Sequence, residues 1–479
     1  MILRTIADFA AARPAHAAMI WGGQAISYES FHRQIQAARA RLMATRPPEA
    51  GVALILIENR ALAWPWVLAL RSLGQMTISA PLALVPHLNL GPITTVVSRK
   101  PLSAAERTTL PLHPQALVID GDAVRDVLTG DGAGVPVGEA IAGHLLLSSG
   151  ATGTPKKMLF DSAAEAAVIA LDSTETAYTP HTVFHVGAFP MFTSIGYRVP
   201  LRVWTRGGTV VIEQGDDPWA PLLTGAVTHT LLTPGMLRVL LERRNGRATR
   251  NDGLHVGITG GPTPWPLAEA AREHISDHLT ALYGATEVGG LSQTALRTRE
   301  DTRAYGITPS RTVQIVDEAG QVKPQGEVGL VRADTREGVS EYWRDPAATR
   351  AFFRDGWFYP GDLGRLLEDG RLELMGRANE VMVIAGDKVH PARIERLIQD
   401  EIPLSGVCVF ASREGDDREI MHVVVEAPDD LSADQIAWIE QNATRMAPVQ
   451  VHRLETMPRN AMQKIMRDGV RAAVMGPAA

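Results

Sequence analysis

The sequence has almost no cysteine and no long apolar run. Cys408 is the single cysteine among 479 residues, which excludes a disulfide framework and a cysteine-based metal cluster. This usage fits a reducing compartment, and we expect a cytoplasmic protein. No stretch of about 18 apolar residues lacks a charge or a Pro or Gly break, so no transmembrane helix is expected. Asp8, Arg13 and Pro14 lie where a signal peptide would need its apolar run, so none is expected.

The chain also lacks a strong charge of either sign. Lys plus Arg number 47 and Asp plus Glu number 53, which gives a formal net charge of −6. A nucleic-acid partner is therefore not expected. A membrane is not expected either, since the sequence has no apolar run long enough to span one. Hydrophobic residues make up 45% and charged residues 21%, which is ordinary for a globular protein and argues against disorder. At about 150 residues per domain, the length predicts about three units.

Helix-like and strand-like segments alternate through most of the chain. Apolar strand patterns occur at residues 52–57, 96–98, 116–119, 144–147, 209–212, 255–258 and 279–283. This alternation predicts α/β layers with a largely parallel sheet. Gly22-Gly23 between two apolar stretches predicts a hairpin, and we expect Thr5 to cap a helix over residues 6–12.

The pattern changes twice further along. Short strands separated by turn residues predict a β-rich subdomain over about 304–378. An α+β pattern follows, with one helix over Pro391–Glu401 and another that begins at the N-cap Ser432. We therefore expect an α/β fold with a large multi-subdomain N-terminal domain, residues 1–378, and a small α+β domain, residues 379–479.

A loop rich in small hydroxyl residues follows the apolar strand that ends at Leu147. Such a loop can present backbone N–H groups, hydroxyls and a lysine to a polyphosphate. It is not a Walker A loop, because Pro155 stands where that motif needs a glycine. An ordinary Gly/Thr-rich surface loop has the same composition. The candidate phosphate-binding residues are Ser148, Ser149, Gly150, Thr152, Gly153, Thr154 and Lys156.

This segment resembles the phosphate-binding signature of the adenylate-forming superfamily, S-[SG]-G-[ST]-T-G-x-P-K, with Ala151 as the one departure. The superfamily contains acyl- and aryl-CoA synthetases, luciferases and the adenylation domains of nonribosomal peptide synthetases. The resemblance implies membership in its AMP-dependent synthetase and ligase group. Further motifs follow in the superfamily's order over nearly the whole chain.

Two of these motifs resemble the superfamily's adenine and metal segments. Residues Gly260, Gly261 and Pro262 resemble its G-G-[AP] turn beside the adenine, and residues 283–287 match its Y-G-x-T-E segment. The resemblance implies that Tyr283 and Gly284 border the nucleotide. Thr286 would then bond a phosphate and Glu287 would bind Mg²⁺. A buried tyrosine and a surface glutamate are the plainer interpretation of the same residues.

The remaining motifs resemble the ribose site, the hinge and the catalytic lysine. Residues 356–362 resemble G-W-[FL]-x-T-G-D, with Pro360 in place of Thr. The resemblance implies that Asp362 and Arg377 hold the ribose, that Asn379 is the hinge, and that Gly386 lines a thiol channel. Residues 458–467 resemble P-R-T-x-x-G-K-[IL]-x-R, with Gln463 in place of Gly. Lys464 then stands at the position of the mobile catalytic lysine.

The segment around Phe192, Thr193 and Gly196 resembles the border of the superfamily's acyl pocket, to which Gly261 and Gly284 also belong. Thr193 has no charge to pair with an α-ammonium, which disfavours amino acids as substrates. We expect instead an aryl or medium-size acid. Arg198 is either a contact for a carboxylate or ring substituent, or a residue on the helix surface.

The resemblance implies ATP-dependent activation of a small carboxylic acid, followed by transfer to a thiol. The cofactors and co-substrates would be ATP, Mg²⁺ and CoA, or the phosphopantetheine of an acyl or peptidyl carrier protein. A ligase that loads a carrier protein shares every motif. A non-catalytic nucleotide-binding homologue and luciferase-type oxidation of the adenylate also stay open.

Overall fold

The computed structural model describes residues 2–45, 51–128, 142–148, 155–167, 178–212, 219–223, 225–243, 250–336, 338–414, 418–460 and 462–476. The chain divides into two compact units. The first comprises Met1–Leu231, Thr286–Gly289 and Thr335–Gly356, and the second comprises Leu232–Ala285, Gly290–Asp334 and Trp357–Ala479.

Helices and strands follow one another along the described residues. The labelled helices are α1 Ile2–Ala12, α2 Tyr28–Thr45, α3 Arg60–Arg71, α4 Ala104–Thr109, α5 Asp122–Arg125, α6 Ser194–Thr205, α7 Pro234–Arg243, α8 Trp265–His274, α9 Pro346–Phe352, α10 Pro391–Glu401, α11 Ala433–Ala443 and α12 Arg467–Met475. Residues 162–167 are also helical. Short 3₁₀ turns cover Leu82–His87, Asp126–Leu128, Ala220–Leu223, Arg299–Thr302 and Ala378–Glu380.

The strands are β1 Ala17–Trp21, β2 Gln24–Ser27, β3 Val52–Leu56, β4 Met76–Ser79, β5 Ile93–Ser98, β6 Leu112–Asp120, β7 His144–Leu147, β8 Lys157–Phe160, β9 Val183–His185, β10 Thr209–Ile212, β11 His229–Leu232, β12 His255–Thr259, β13 Leu279–Ala285, β14 Gly289–Ala295, β15 Ala304–Ile307, β16 Val313–Val316, β17 Gly329–Asp334, β18 Phe353–Arg354, β19 Trp357–Phe358, β20 Asp362–Leu366, β21 Leu372–Arg377, β22 Met382–Ile384, β23 Asp387–Val389, β24 Gly406–Glu414, β25 Arg418–Glu426 and β26 Val449–Leu454.

Parallel strand pairing dominates the first unit. One sheet has the order β6-β5-β3-β4-β7-β8, in which β7 and β8 alone pair antiparallel. In the order β2-β1-β10-β9-β11, the hairpin of β1 and β2 is antiparallel and the other pairs are parallel. Aromatic residues fill the core, where Trp64 and Trp204 pack edge to face at 4.9 Å. Strand β7, whose residues are all buried, ends directly before Ser148, the first of the phosphate-loop candidates.

The second unit combines a short parallel pair with antiparallel strands. Strands β12 and β13 are parallel, whereas β14, β15, β21, β20 and β17 pair antiparallel in that order. Strands β24, β25 and β26 form a separate sheet, against which α10 and α11 bury an apolar cluster that includes Ile394, Ile398 and Ile439. Among the nucleotide-site candidates of this unit, Tyr283 lies on β13, Asp362 on β20 and Arg377 on β21.

The α/β fold class is confirmed, with local differences. Gly22 and Gly23 have positive φ in the predicted hairpin, and α10 spans the predicted Pro391–Glu401. Ser432 caps α11 as expected. The predicted cap at Thr5 is wrong, because α1 already begins at Ile2. The boundary between residues 378 and 379 stays a prediction. Within the described ranges, no helix has both the length and the apolar character that crossing a membrane requires.

Candidate functional site

Three polar side chains meet at the candidate ribose position of the second unit. Strand β13 carries Tyr283, β20 begins at Asp362, and β21 ends at Arg377, which stands directly opposite Asp362 in the ladder. The Tyr283 hydroxyl donates a 2.7 Å hydrogen bond to Oδ2 of Asp362. Arg377 Nε lies 3.2 Å from Oδ1 of Asp362, and its Nη1 donates to the Pro360 carbonyl at 2.6 Å. The substitution at Pro360 does not disturb this contact, since it uses the backbone.

The Asp362 carboxylate is electrostatically tuned by its surroundings. Burial raises the pKa of Asp362, whereas Arg377 and the Tyr283 hydroxyl lower it. The pKa of Tyr283 is raised well above its ordinary value, first by burial and then by Asp362. Tyr283 is therefore a hydrogen-bond donor and Asp362 an oriented acceptor. A carboxylate with further lone pairs is suited to the two hydroxyls of a ribose.

Lys464 lies within this polar group. The side chain of Asn460 accepts hydrogen bonds from the backbone N–H groups of Met462 at 2.9 Å and Lys464 at 3.1 Å. Gly260, with φ of +86°, lies under the lysine: a Cβ there would be 2.9 Å from Lys464 Cε. Burial and the nearby Arg377 lower the pKa of Lys464, and Asp362 raises it. Because Gly260 has no side chain, it leaves room for the side chain of Lys464.

The other candidates of the second unit lie on turns and strand ends. Gly261 follows β12 and precedes Pro262, and a Cβ there would be 3.9 Å from the Pro234 ring. Gly284 is exposed on β13. Gly386 has φ of +87° at the turn between β22 and β23. Asn379 lies in the 3₁₀ turn Ala378–Glu380, and its role as a hinge stays a prediction.

The first unit carries the metal candidate, Glu287. Its side chain is only 7% exposed, and Oε1 accepts a 2.7 Å hydrogen bond from the Tyr342 hydroxyl. Thr286, beside it, accepts from Arg198 through its carbonyl. Among the described residues, no group of three or more His, Cys, Asp or Glu side chains is arranged so that it could hold a metal ion. Mg²⁺ commonly takes one or two carboxylates together with substrate phosphates, so a single oriented carboxylate fits this ion.

The ends of the candidate phosphate loop are joined. The Ser148 N–H donates to the Lys156 carbonyl at 2.9 Å, and the Lys156 N–H donates to Ser148 Oγ at 3.2 Å. The Lys156 ammonium lies 4.2 Å from the centre of the Phe352 ring. The predicted loop residues between these ends lie outside the described residues; they are Ser149, Gly150, Thr152, Gly153 and Thr154.

The acyl-pocket candidates lie at the start of α6. Thr193 is the N-cap of this helix: its hydroxyl accepts from the Gly196 N–H at 3.1 Å. Gly196 is tightly packed, since a Cβ there would be 2.1 Å from the Pro190 carbonyl oxygen. The Phe192 carbonyl accepts from Leu147 at 2.8 Å. Arg198 is 6% exposed and covers the Phe160 ring at 4.7 Å, so its interpretation as a helix-surface residue is wrong.

Two features of the site were not predicted. The N-cap role of Thr193 could have been found, because a threonine before a helical pattern is a common start signal. The contact between Tyr342 and Glu287 had no such signal, since 55 residues separate them.

Comparison with known proteins identifies the family. The sequence pattern of the family described as AMP-binding enzyme matches residues 101–343, just over half of the chain. The chain belongs to the AMP-binding enzyme family. This match confirms the predicted resemblance to the adenylate-forming superfamily, and it confirms that the protein is an enzyme of the kind to which acid–thiol ligases belong.

Two individual relatives are similar to the chain at 28% and 27% identity. The chain is 28% identical over 348 residues to an indoleacetate–CoA ligase of Aromatoleum aromaticum, covering 68% of this chain and 66% of that protein. It is 27% identical over 273 residues to the fatty acid–[acyl-carrier-protein] ligase ScoC of Streptomyces coeruleorubidus, covering 53% and 51%. The chain thus spans about two thirds or less of the length of these relatives.

A solved structure supports the fold. The O-succinylbenzoate CoA synthetase of Bacillus subtilis, in complex with ATP and a magnesium ion, superimposes with a TM-score of 0.81 at 21% identity. The match covers 98% of this chain and 99% of that one. The fold is therefore that of this synthetase along nearly the whole chain.

Proposed function

We propose that this protein is an ATP-dependent acid–thiol ligase. A carboxylate oxygen of the acid attacks the α-phosphorus of ATP, and the bond to the β-phosphate breaks. Pyrophosphate departs, and the product is an acyl-adenylate. A thiol then attacks the adenylate carbonyl and AMP leaves, which gives a thioester. The observation that carries this proposal is the buried Lys464 beside Asp362 and Arg377, with Gly260 beneath it.

Each residue of this group has a part in the first step. Asp362 accepts hydrogen bonds from the ribose hydroxyls, and Arg377 holds Asp362 in place. The Lys464 ammonium stabilises the negative charge that develops between the carboxylate and the α-phosphate. Charge stabilisation of this kind is strongest in a site that excludes water, which agrees with the burial of the lysine. The rest of the rate enhancement comes from holding acid and phosphate in contact.

The phosphate side is assigned to the first unit. Glu287 would hold Mg²⁺, which neutralises phosphate charge when bound, while Lys156, Thr286 and Ser148 contribute donors to the phosphates. The loop residues Ser149, Thr152, Gly153 and Thr154 keep the phosphate role that their resemblance implies. The ATP and magnesium ion held by the B. subtilis synthetase support this assignment.

The second step is assigned to the C-terminal residues. Rotation of residues 379–479 about the hinge at Asn379 would withdraw Lys464 and bring the Gly386 turn to the thiol channel. The thiol is most simply that of CoA, as in the name of the indoleacetate–CoA ligase. That name and the small, uncharged Thr193 also support an aryl or medium-size acid. A cytoplasmic location stays a prediction.

Loading of a carrier protein is the second candidate function. The similarity to a fatty acid–[acyl-carrier-protein] ligase favours it specifically. The adenylation step is the same in both cases. The two differ only in what presents the phosphopantetheine thiol.

ATP–pyrophosphate exchange across a panel of aryl, fatty and dicarboxylic acids tests the proposal. An exchange signal with one acid class, lost in Lys464→Ala, is the expected result. The same acid is then offered with CoA and with a phosphopantetheinylated carrier protein, and the accepted thiol separates the two candidates. ATP binding without exchange for any acid would instead support a non-catalytic homologue, and oxygen consumption would indicate luciferase-type chemistry.

A further inference from the structure

Tyr342 connects the candidate metal ligand with the candidate phosphate lysine. Its hydroxyl donates to Oε1 of Glu287 at 2.7 Å. The Lys156 ammonium lies 5.7 Å from the centre of its ring and 4.2 Å from the centre of the Phe352 ring. One tyrosine thus hydrogen-bonds to the carboxylate and lies near the ammonium that are both assigned to the triphosphate, although neither is near it in sequence.

The Tyr342 side chain is rigidly held. It is 2% exposed, and its ring packs edge to face against Phe352 at 5.9 Å and Phe353 at 5.2 Å. Its backbone N–H donates to the Thr349 hydroxyl at 3.0 Å. A buried ring with aromatic neighbours on two sides has few alternative rotamers, so its hydroxyl stays aimed at Glu287.

The same segment also anchors the backbone of Glu287. The Val339 N–H donates to the Glu287 carbonyl at 2.9 Å. Gly338 lies so close that a Cβ there would be 2.3 Å from that carbonyl oxygen. Residues 338–342 therefore fix Glu287 at its main chain and at its carboxylate together.

A hydroxyl is chemically suited to this position. A lysine or arginine would also orient the carboxylate, but its positive charge would compete with a divalent cation. The neutral Tyr342 donor orients Glu287 and leaves its negative charge for the metal. Partners of this kind, one shell behind the ligand, commonly change metal affinity by about 10- to 100-fold when removed.

The rings of Tyr342 and Phe352 position the Lys156 ammonium. The faces of Phe352 and Tyr342 attract the Lys156 ammonium through the ring quadrupole, which restricts its long side chain. The rings are neutral, so they restrict the ammonium without cancelling its charge, which stays available for a phosphate.

We infer that Tyr342 is a positioning residue that orients Glu287 for the divalent cation and, with Phe352, holds Lys156 for the triphosphate. This inference rests on the proposed function, because it needs a metal–ATP substrate. It assigns a role to the segment 338–352 that no motif of the sequence analysis covered.

Calorimetric titration of the full chain with ATP tests the inference without requiring turnover. The affinity is measured once with excess Mg²⁺ and once in EDTA, and their ratio reports the coupling between metal and nucleotide. Tyr342→Phe keeps the ring and removes the hydroxyl, so this ratio should fall about tenfold while the affinity in EDTA is unchanged. Phe352→Leu should weaken ATP binding under both conditions.

Tyr28→Phe is the matched control. Its hydroxyl is equally buried and donates to the Gly208 carbonyl at 2.8 Å, within the same unit. This variant should show the coupling ratio of the unaltered protein. Glu287→Gln should lower the ratio, and adding Tyr342→Phe to it should lower it no further, because the tyrosine acts through the carboxylate.

The outcomes separate the two proposals. A Tyr342→Phe variant with an unchanged ratio, or additive losses in the double variant, would overturn the inference and leave the ligase function standing. An unaltered protein that binds no ATP under either condition would overturn the proposed function as well.

Discussion

Asp400 and Arg299 form an ion pair in which the acidic partner is almost fully buried. Arg299 Nε lies 3.7 Å from Oδ2 of Asp400, whose side chain is 2% exposed. Arg303 lies 3.4 Å from the same oxygen, and the Trp265 N–H donates to Oδ1 at 3.3 Å. Asp400 is on α10, in the region assigned to the mobile domain, whereas its partners precede the proposed hinge. Rotation about Asn379 would have to break all of these contacts.

Asp400→Asn should therefore disfavour the arrangement in which Lys464 lies beside Asp362. We expect acyl-adenylate formation to slow by about fivefold or more, which corresponds to a coupling of ~1 kcal/mol. Thioester formation from a supplied acyl-adenylate should not slow. Rapid-quench assays of each half-reaction measure the two rates. Asp430→Asn is the control, since Asp430 also pairs with an arginine, at 2.8 Å, but is 91% exposed. Equal slowing of both half-reactions would contradict this role.

The pH dependence of adenylation should report Lys464. Burial and Arg377 lower its pKa below the ordinary lysine value of 10.5, so the active ammonium is lost at a lower pH than usual. The adenylation rate constant at saturating substrates should fall as pH rises through that lowered pKa. Lys464→Arg should move the fall to higher pH, because a guanidinium stays protonated. If the adenylation rate constant fell at the same pH in both proteins, the fall would belong to the titration of another group.

The turn before Lys464 contains a strained residue. Gln463 has φ of +60°, in a position where the superfamily pattern has glycine. A left-handed conformation costs a residue with a Cβ roughly 1–2 kcal/mol. Gln463→Gly should therefore be more stable than Gln463→Ala by about 1 kcal/mol in denaturant unfolding. An alanine variant as stable as the glycine variant would show that the turn carries no such strain.

Thr193 should contribute to stability through its cap. Its hydroxyl accepts from Gly196 and donates to the Pro190 carbonyl at 2.7 Å. Thr193→Ala should lower the free energy of unfolding by about 1 kcal/mol, whereas Thr193→Ser, which keeps the hydroxyl, should lower it much less. Chemical denaturation compares the two. Equal losses would mean that the methyl group, and not the cap, is what stabilises α6.

Local signals predicted much of the fold. Helix α10 begins at Pro391, which has no N–H group that would need a partner. Helix α11 begins after Ser432, whose capping box satisfies N–H groups at the start of the helix. Thr5 failed as a cap because Ile2, Leu3 and Ile6 are all buried, and this packing extends the helix past it. Strand β20 was not predicted, because Gly364 and Arg365 interrupt any alternation of apolar residues.

The site was predictable only where the chain carries a motif. The residues around Asp362 and Lys464 lie in motifs, and the structure brings them together in one unit. Their hydrogen-bond partners were not predictable, because pairs such as Tyr342 with Glu287 arise from tertiary packing over long separations. The acid specificity depends on such packing too, which is why Arg198 gave two interpretations from sequence.

The most direct test of the account measures both half-reactions of Lys464→Ala with the same acid. The account predicts that acyl-adenylate formation falls by two or more orders of magnitude, about the loss seen when one charge-stabilising group is removed. Thioester formation from a supplied acyl-adenylate should continue near the rate of the unaltered protein, because in the proposed cycle the lysine leaves the site before that step. Near-normal adenylate formation by Lys464→Ala would contradict the central claim.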